Sequence, residues 1–562
     1  MTDLNTDDSQ ITEKLSSVYQ SIQRGETPDQ SDLVSLLSLE TTTHRFRVNQ
    51  ELAKAYFYFP RDIDKAAVFA ERALALCGLS EDFLAFYVEL HKATGNLEAQ
   101  RTAYKIVGKR YAAAGDVYTA LKCFNQHRNV YALAGLGNRY DYDFDVLECI
   151  DQLALTETKN MALQSTAPSK GKKTRLAYLV FHVHHPESVI VKMLSAFAKY
   201  HNSSEFEVAF FIAESSRKND AVSLKNIDVL TQAGGRVIQA DQEDVMACLR
   251  QTAAHVRAFG PHVFITTAIL AEYEHYFLSF TCPAVARIGL TYGPPELYIA
   301  PRLDWVIASL DSLIIDSPSS GSVVHIEYDL PDSQSLTISD RASLNIADDA
   351  VVLISAGRPL KFMSREFWSA ILQTLEAHPR AVFVAVGLDV DPPFLAELLL
   401  DTPLADRVIR LGWQADYLGI LGMADVVVDT YPSGGGLVLL DAMALSIPAV
   451  SFHHDYSQRF DQMNWNLGED LVPLPELLVS RDNLEGLKQL LSSLIENPLQ
   501  RKELGSLCRT AIHEKRSSPT RYVQSHEAIY KKILARKANG TLSLPAAPKT
   551  GFFEVLGRVF RS

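Results

Sequence analysis

The spacing of apolar residues changes character once along this chain, and the change limits what each side can become. Before Gln164, apolar positions recur every third or fourth residue, as along one face of a helix. IDKAAVFAERALAL (Ile63 to Leu76) shows the pattern, a similar unit follows from Tyr104, and YAAAGDVYTALKCF (Tyr111 to Phe124) repeats it around an Ala-Gly-Asp turn. No stretch of this region alternates as a strand would. The polar segment QSTAPSKGKK (Gln164 to Lys173) then interrupts the pattern with linker chemistry. Beyond it, short apolar runs alternate with amphipathic stretches.

The first series of runs comprises RLAYLVF at Arg175, FEVAFFIA at Phe206, RVIQ at Arg236, HVFITTA at His262, ARIGL at Ala286 and DWVIA at Asp304. A second begins with VVLISAG at Val351 and continues through AVFVAVG, RVIRLG, DVVVDT and PAVSF, the last at Pro448. Such alternation predicts βαβ units and parallel sheets. The expected division is an all-α, tetratricopeptide-like domain over 1–163, a Rossmann-like half over 174–335, a second half with C-terminal helices over 340–537, and a linker and tail over 538–562. A chain of 562 residues is too long for one core, and a prior of about 150 residues per domain agrees with three or four units.

Charge and composition narrow the function. The formal net charge of -13 argues against nucleic acid as a partner. The opening MTDLNTDDSQ lacks a basic, then apolar, leader pattern, and no run of about 18 apolar residues occurs, so a cytoplasmic protein is expected. Six cysteines without CxxC spacing suit reduced thiols better than disulfides or zinc.

The sharpest chemistry lies in DTYPSGGGLVLLDAMALSIPAVSF, Asp429 to Phe452. A strand ends, a turn of Gly434, Gly435 and Gly436 follows, and a helix starts near Leu437. Glycines admit close backbone approach, and helix N-terminal amides favour an anion such as a diphosphate. Asp441, one turn into the helix, can accept hydrogen bonds from ribose hydroxyls. The same pattern also fits a plain strand–turn–helix corner. Upstream, SAGRPLKF (Ser355 to Phe362) sets Arg358 and Lys361 three apart, two cations able to neutralise a leaving diphosphate without metal.

The Asp429 to Phe452 segment resembles, without gaps, the matching stretch of glycosyltransferase family 41, the O-linked N-acetylglucosaminyltransferases and bacterial adhesin N-glucosyltransferases. Broad retaining families with the GT-B fold share the pattern but carry Glu where this chain has Asp441. One departure is that Gly436, Leu437 and Val438 replace the polar side chains usual beside the glycines. The resemblance implies a GT-B fold of two Rossmann-like domains, a UDP-sugar donor and inversion at the anomeric carbon. It implies a catalytic role for Lys361 and a ring against uracil at Tyr417, with Trp413 a second stacking candidate; either also suits a core position.

VFHVHHPESVIVKML (Val180 to Leu194) resembles the family's strand, His-Pro turn and helix, making His185 a candidate on the acceptor side. HYFLSFTCPAVARIGLTYGPPELY (His275 to Tyr298) resembles another family stretch, with His275 the second candidate and Arg287 standing where Gln is usual. In SFHHDYSQRFDQ (Ser451 to Gln462), the resemblance implies a loop lining the donor sugar, with His453 or His454 against sugar or phosphate, while structural packing suits at least one of them better. Asp389-Val390-Asp391 mimics a metal-binding DxD, but it enters Pro392 and Pro393 in a chain that reads GT-B, so neither a metal nor another cofactor is expected. GFFEVLGRVFRS (Gly551 to Ser562) forms an apolar helical stripe that fits either a membrane-surface or partner contact, or packing on its own domain. Three readings follow: transfer of a hexose or N-acetylhexosamine to Asn or Ser/Thr of a protein or peptide held by the helical domain; transfer to a glycan, lipid or small molecule; or a catalytically weak scaffold.

Overall fold

The computed structural model describes residues 4–39, 41–76, 80–133, 143–161, 173–180, 183, 188–214, 220–267, 272–292, 303–311, 321–332, 334–400, 402–453 and 466–542. The chain forms two compact units, residues 1–136 with 141–156, and residues 137–140 with 157–562. The first is all helical. Thr42–Tyr58 packs on Ile63–Leu76, and Leu97–Ala114 on Val117–Leu133, as antiparallel neighbours joined by short turns. The Ala-Gly-Asp turn works as its residues dictate. Gly115 ends one helix in the left-handed conformation (φ 82°), and Asp116 caps the next by accepting from the Thr119 amide at 3.1 Å. Gly108 lets the paired helices close up, because a Cβ there would meet the Phe124 ring at 2.5 Å. Phe57, Phe83, Phe86 and Tyr87 fill the centre of this unit.

The second unit holds two wholly parallel sheets. The first contains β1 (Thr174–Val180), β2 (Phe206–Ile212), β3 (Arg236–Gln239), β4 (Val263–Thr266), β5 (Ala286–Thr291), β6 (Trp305–Ala308) and β7 (Gly321–Val323), in the order β3-β2-β1-β4-β5-β6-β7. The other contains β8 (Val351–Ala356), β9 (Ala381–Val386), β10 (Val408–Leu411), β11 (Val426–Val428), β12 (Ala449–Phe452) and β13 (Leu478–Val479), in the order β10-β9-β8-β11-β12-β13. These strands read as continuous apolar runs because helices cover both faces of a parallel sheet. The order reverses between β1 and β4 in one sheet and between β8 and β11 in the other. Those reversals are where doubly wound sheets open a crevice at their carboxyl ends. The expected α/β fold, GT-B with an all-helical region ahead of it, is what the chain adopts.

The helix Pro519–Ala538, grouped by sequence order with the second half, packs instead into the core of the first sheet. Tyr522, Val523, Tyr530 and Ile533 are buried among Leu176, Tyr178, Phe197 and Phe210. Its polar contacts are equally specific. The Tyr178 and Tyr530 hydroxyls lie 3.1 Å apart, and Glu527 lies 2.8 Å from both His201 Nδ1 and the Asn202 amide. Arg521 grips Glu327 at 2.6 and 2.8 Å. Among the described residues no helix is long and apolar enough to cross a membrane, and the tail from Gly551 lies outside them.

Candidate active site

The two loops at the β8/β11 reversal carry Arg358, Lys361 and the glycine turn singled out from sequence. After β8, Gly357 and Arg358 lead into a short 3-10 turn, Pro359–Phe362, which carries Lys361. Gly357 leaves room for this turn; a Cβ there would lie 3.1 Å from the Lys361 side chain and 3.2 Å from Thr430. After β11 come Asp429, Thr430 and the glycines, and Leu437–Ala444 starts at Gly436 with no side-chain cap. Uncapped amides at a helix start leave donors for an anion. Arg358 is exposed and Lys361 partly buried. The Lys361 ammonium donates to the Gly434 carbonyl. Burial pushes its pKa down to about 8; Asp429 opposes that shift and Arg358 adds to it.

The glycine turn serves the protein's interior as much as any ligand. Asp429 is fully buried and accepts four hydrogen bonds: from the Gly435 amide (2.5 Å), Ser451 Oγ (2.6 Å), the Thr430 amide (2.9 Å) and Asn466 Nδ2 (3.3 Å). A Cβ on Gly434 would meet Asn466 at 2.6 Å and Asp429 at 2.7 Å, and one on Gly435 would meet Val438 at 2.4 Å. A Cβ on Gly436 would meet only Leu467, at 3.6 Å. Of the Gly434–Gly436 turn expected to bind a diphosphate, the Gly435 amide is spent on Asp429 instead. Gly436 and the first helical turn keep that geometry. Sequence reasoning passed over Asp429; the available signal was an acidic residue ending an apolar strand just before a glycine run.

Asp441 is buried and held by two phenols. Tyr328 donates to one carboxylate oxygen at 2.5 Å and Tyr417 to the other at 3.3 Å. Burial raises the pKa of the carboxyl, while the Lys192 charge and the two phenols pull it back. Lys192 belongs to the helix Val189–Tyr200 of the first half, and its Nζ sits 4.6 Å from the Tyr328 ring centroid. Asp441 therefore lies at the seam between the two halves. Tyr417, expected against uracil, starts the short helix Tyr417–Leu421, while Trp413 is 52% exposed and its ring is open to stacking. Tyr328 and Lys192 were missed because nothing local marks them.

The histidines separate. His453 follows β12 and holds Glu469 through Nδ1 at 2.6 Å, with its side chain partly exposed. His275 lies in the first turn of the helix after β4 but is 6% exposed, with Nε2 3.6 Å from Glu272. Burial corrects the expectation of an open acceptor-side histidine there. His185 follows β1, and like His454 it lies outside the described residues. Arg287 holds its own half together, donating to the Ser279 and Cys282 carbonyls at 3.2 and 2.8 Å. The DxD carboxylates have structural partners: Asp389 accepts from the Trp413 amide at 2.8 Å and Asp391 pairs with Arg410 at 2.6 Å. Among the described residues no group of three or more His, Cys, Asp or Glu is arranged to hold a metal ion.

Known proteins resemble this chain in fold. Residues 353–497 match the family model described as glycosyl transferases group 1, a span that runs from β8 past β13. A mutant O-GlcNAc transferase from Thermobaculum terrenum superposes with a TM-score of 0.52 at 17% identity, covering 96% of this chain and 100% of that one. The lipopolysaccharide outer core galactosyltransferase WaaB in its apo form gives a TM-score of 0.43 at 15% identity, over 64% of this chain and 100% of that one. TarM gives 0.40 at 14% identity, over 51% and 58%. No curated protein matches the sequence itself. At these identities the likeness is one of fold: this chain carries a GT-B glycosyltransferase fold, similar along its length to an O-GlcNAc transferase.

Proposed function

We propose that the chain is a cytoplasmic enzyme that transfers a hexose or N-acetylhexosamine from a UDP-sugar to an Asn or Ser/Thr side chain of a protein, with inversion and without a metal ion. The observation that carries this reading is the meeting of three features at the β8/β11 reversal. They are the Lys361 ammonium, the uncapped start of the helix Leu437–Ala444, and the buried Asp441 already holding two hydroxyls. A nucleoside diphosphate needs that set: a cation and amides for the phosphates, and a carboxylate for the ribose diol. Ribose hydroxyls would replace one or both phenols on Asp441. The leaving diphosphate would collect its charge on Lys361 and the helix start, with Arg358 at the mouth. In the first half the strand order reverses between β1 and β4, whose carboxyl ends mark the matching crevice. We assign the acceptor to that side and its polypeptide to the helical unit. The likeness to an O-GlcNAc transferase and the family-model match support sugar transfer as the class of reaction.

The test is UDP release from a panel of UDP-hexoses with metal chelated, with and without acceptor peptides, comparing wild type and Lys361→Ala. Release that survives chelation, requires Lys361 and rises with peptide supports the reading. Release that rises instead with a glycan or lipid acceptor moves the acceptor class. Absence of both UDP binding and release overturns it in favour of a partner-binding scaffold.

A further inference from the structure

The Gly434–Gly435 peptide is held at both ends. Its carbonyl accepts from the Lys361 ammonium, and its N–H donates to Asp429 at 2.5 Å. Behind Asp429 stands a second layer: Ser451 and Asn466 donate to its other oxygen, at 2.6 and 3.3 Å. Asn466 is gripped in turn by Arg481, which also donates to the Pro432 carbonyl at 2.9 Å and lies 4.9 Å from the Tyr431 ring centroid. One chain of contacts therefore runs from Arg481 through Asn466, Asp429 and a single peptide to Lys361. The glycines at both ends of that peptide are required by it, since a Cβ on Gly434 would collide with Asp429 and Asn466, and one on Gly435 with Val438.

We propose that Asp429 is a positioning residue: through the Gly434–Gly435 peptide it fixes where the Lys361 ammonium stands. The assignment rests on the donor-site reading above only for its effect on turnover; its effect on Lys361 stands by itself. Among the described residues, the charged side chains acting on Lys361 are Asp429, from the loop after β11, and Arg358, from its own turn. With Asp429 neutral, Lys361 would keep burial and Arg358 against it and lose its opposing charge. A residue that merely filled space beneath the loop would leave the titration of Lys361 where it is.

Two readouts test this in the full chain. The first is the rate at which an amine-acylating reagent labels Lys361, followed by mass spectrometry across pH; the second is the alkaline limb of UDP-sugar turnover. In Asp429→Asn both profiles move to lower pH, giving at least a fivefold rise in Lys361 labelling at pH 7. Asp429→Glu, which keeps the charge, returns the profile toward wild type. A Lys361 labelling profile that stays in place in folded Asp429→Asn overturns the proposal. Should wild type show no turnover, the donor-site reading falls and labelling alone decides Asp429. Should Asp429→Asn fail to fold, Asn466→Ala replaces it: the charge remains while the clamp loosens, so labelling of Lys361 rises at every pH. Unchanged labelling in Asn466→Ala then overturns the proposal.

Discussion

Lys361→Ala separates two effects that usually move together. Its site draws the ammonium from the ordinary lysine value of 10.5 down to about 8, chiefly through burial. At about 1.4 kcal/mol per pH unit, keeping the charge there at neutral pH costs up to about 3 kcal/mol of stability. The side chain is only partly buried, so screening by solvent reduces that to about 1–2 kcal/mol. Replacing Lys361 by Ala removes this cost and also the bond to the Gly434 carbonyl, worth about 1 kcal/mol. The two nearly cancel, and the urea midpoint of Lys361→Ala should lie within about 1 kcal/mol of wild type. Turnover should fall by about 100- to 1000-fold, the loss expected for one donor aimed at developing charge.

The pH dependence has opposite signs for the two properties. Between about pH 8 and 10.5 the unfolded chain holds the Lys361 proton and the folded chain has released it, so stability from this group rises with pH. Turnover, which on the proposed mechanism needs the ammonium, should fall through about pH 8. Matched urea titrations and UDP-release assays from pH 6.5 to 9.5 measure both. A turnover loss in Lys361→Ala that tracks a loss of stability, or a change in turnover below threefold, would refute the reasoning.

Three further outcomes are expected. Tyr328→Phe frees the Asp441 oxygen now engaged at 2.5 Å, so calorimetry should show UDP binding about three- to tenfold tighter; weaker binding would mean that the phenol helps to hold the nucleotide. Gly435→Ala, whose Cβ would meet Val438 at 2.4 Å, should abolish UDP binding, whereas Gly436→Ala, with only Leu467 at 3.6 Å, should leave it within about threefold; equal losses would contradict the division of labour among the glycines. His526 is buried and its pKa is pushed to about 3 by burial. As the unfolded chain takes up the proton first, its contribution to stability is lost as pH falls below about 6.5, reaching about 2 kcal/mol by pH 5. His526→Leu should flatten the acid limb of the urea midpoint, and an unchanged limb would assign that loss to other groups.

Local chemistry made part of this protein legible in its sequence. Helical periodicity before Gln164 and alternating strands after it record which faces must be buried, and burial is written residue by residue. The same holds for the loop after β8 and the glycine turn after β11, whose residues are neighbours in sequence and whose spacing carries their meaning. What the sequence left open depends on contacts across long separations. Tyr328 reaches Asp441 from 113 positions away, Lys192 comes from the other half, and the helix Pro519–Ala538 returns to a sheet begun more than three hundred residues earlier. His275 and His453 were both candidates from sequence, yet one is buried in a helix and the other is bonded to Glu469 near the surface. Only the tertiary structure decided these points, because a side chain's partner across two sheets leaves no periodic trace in the chain that carries it.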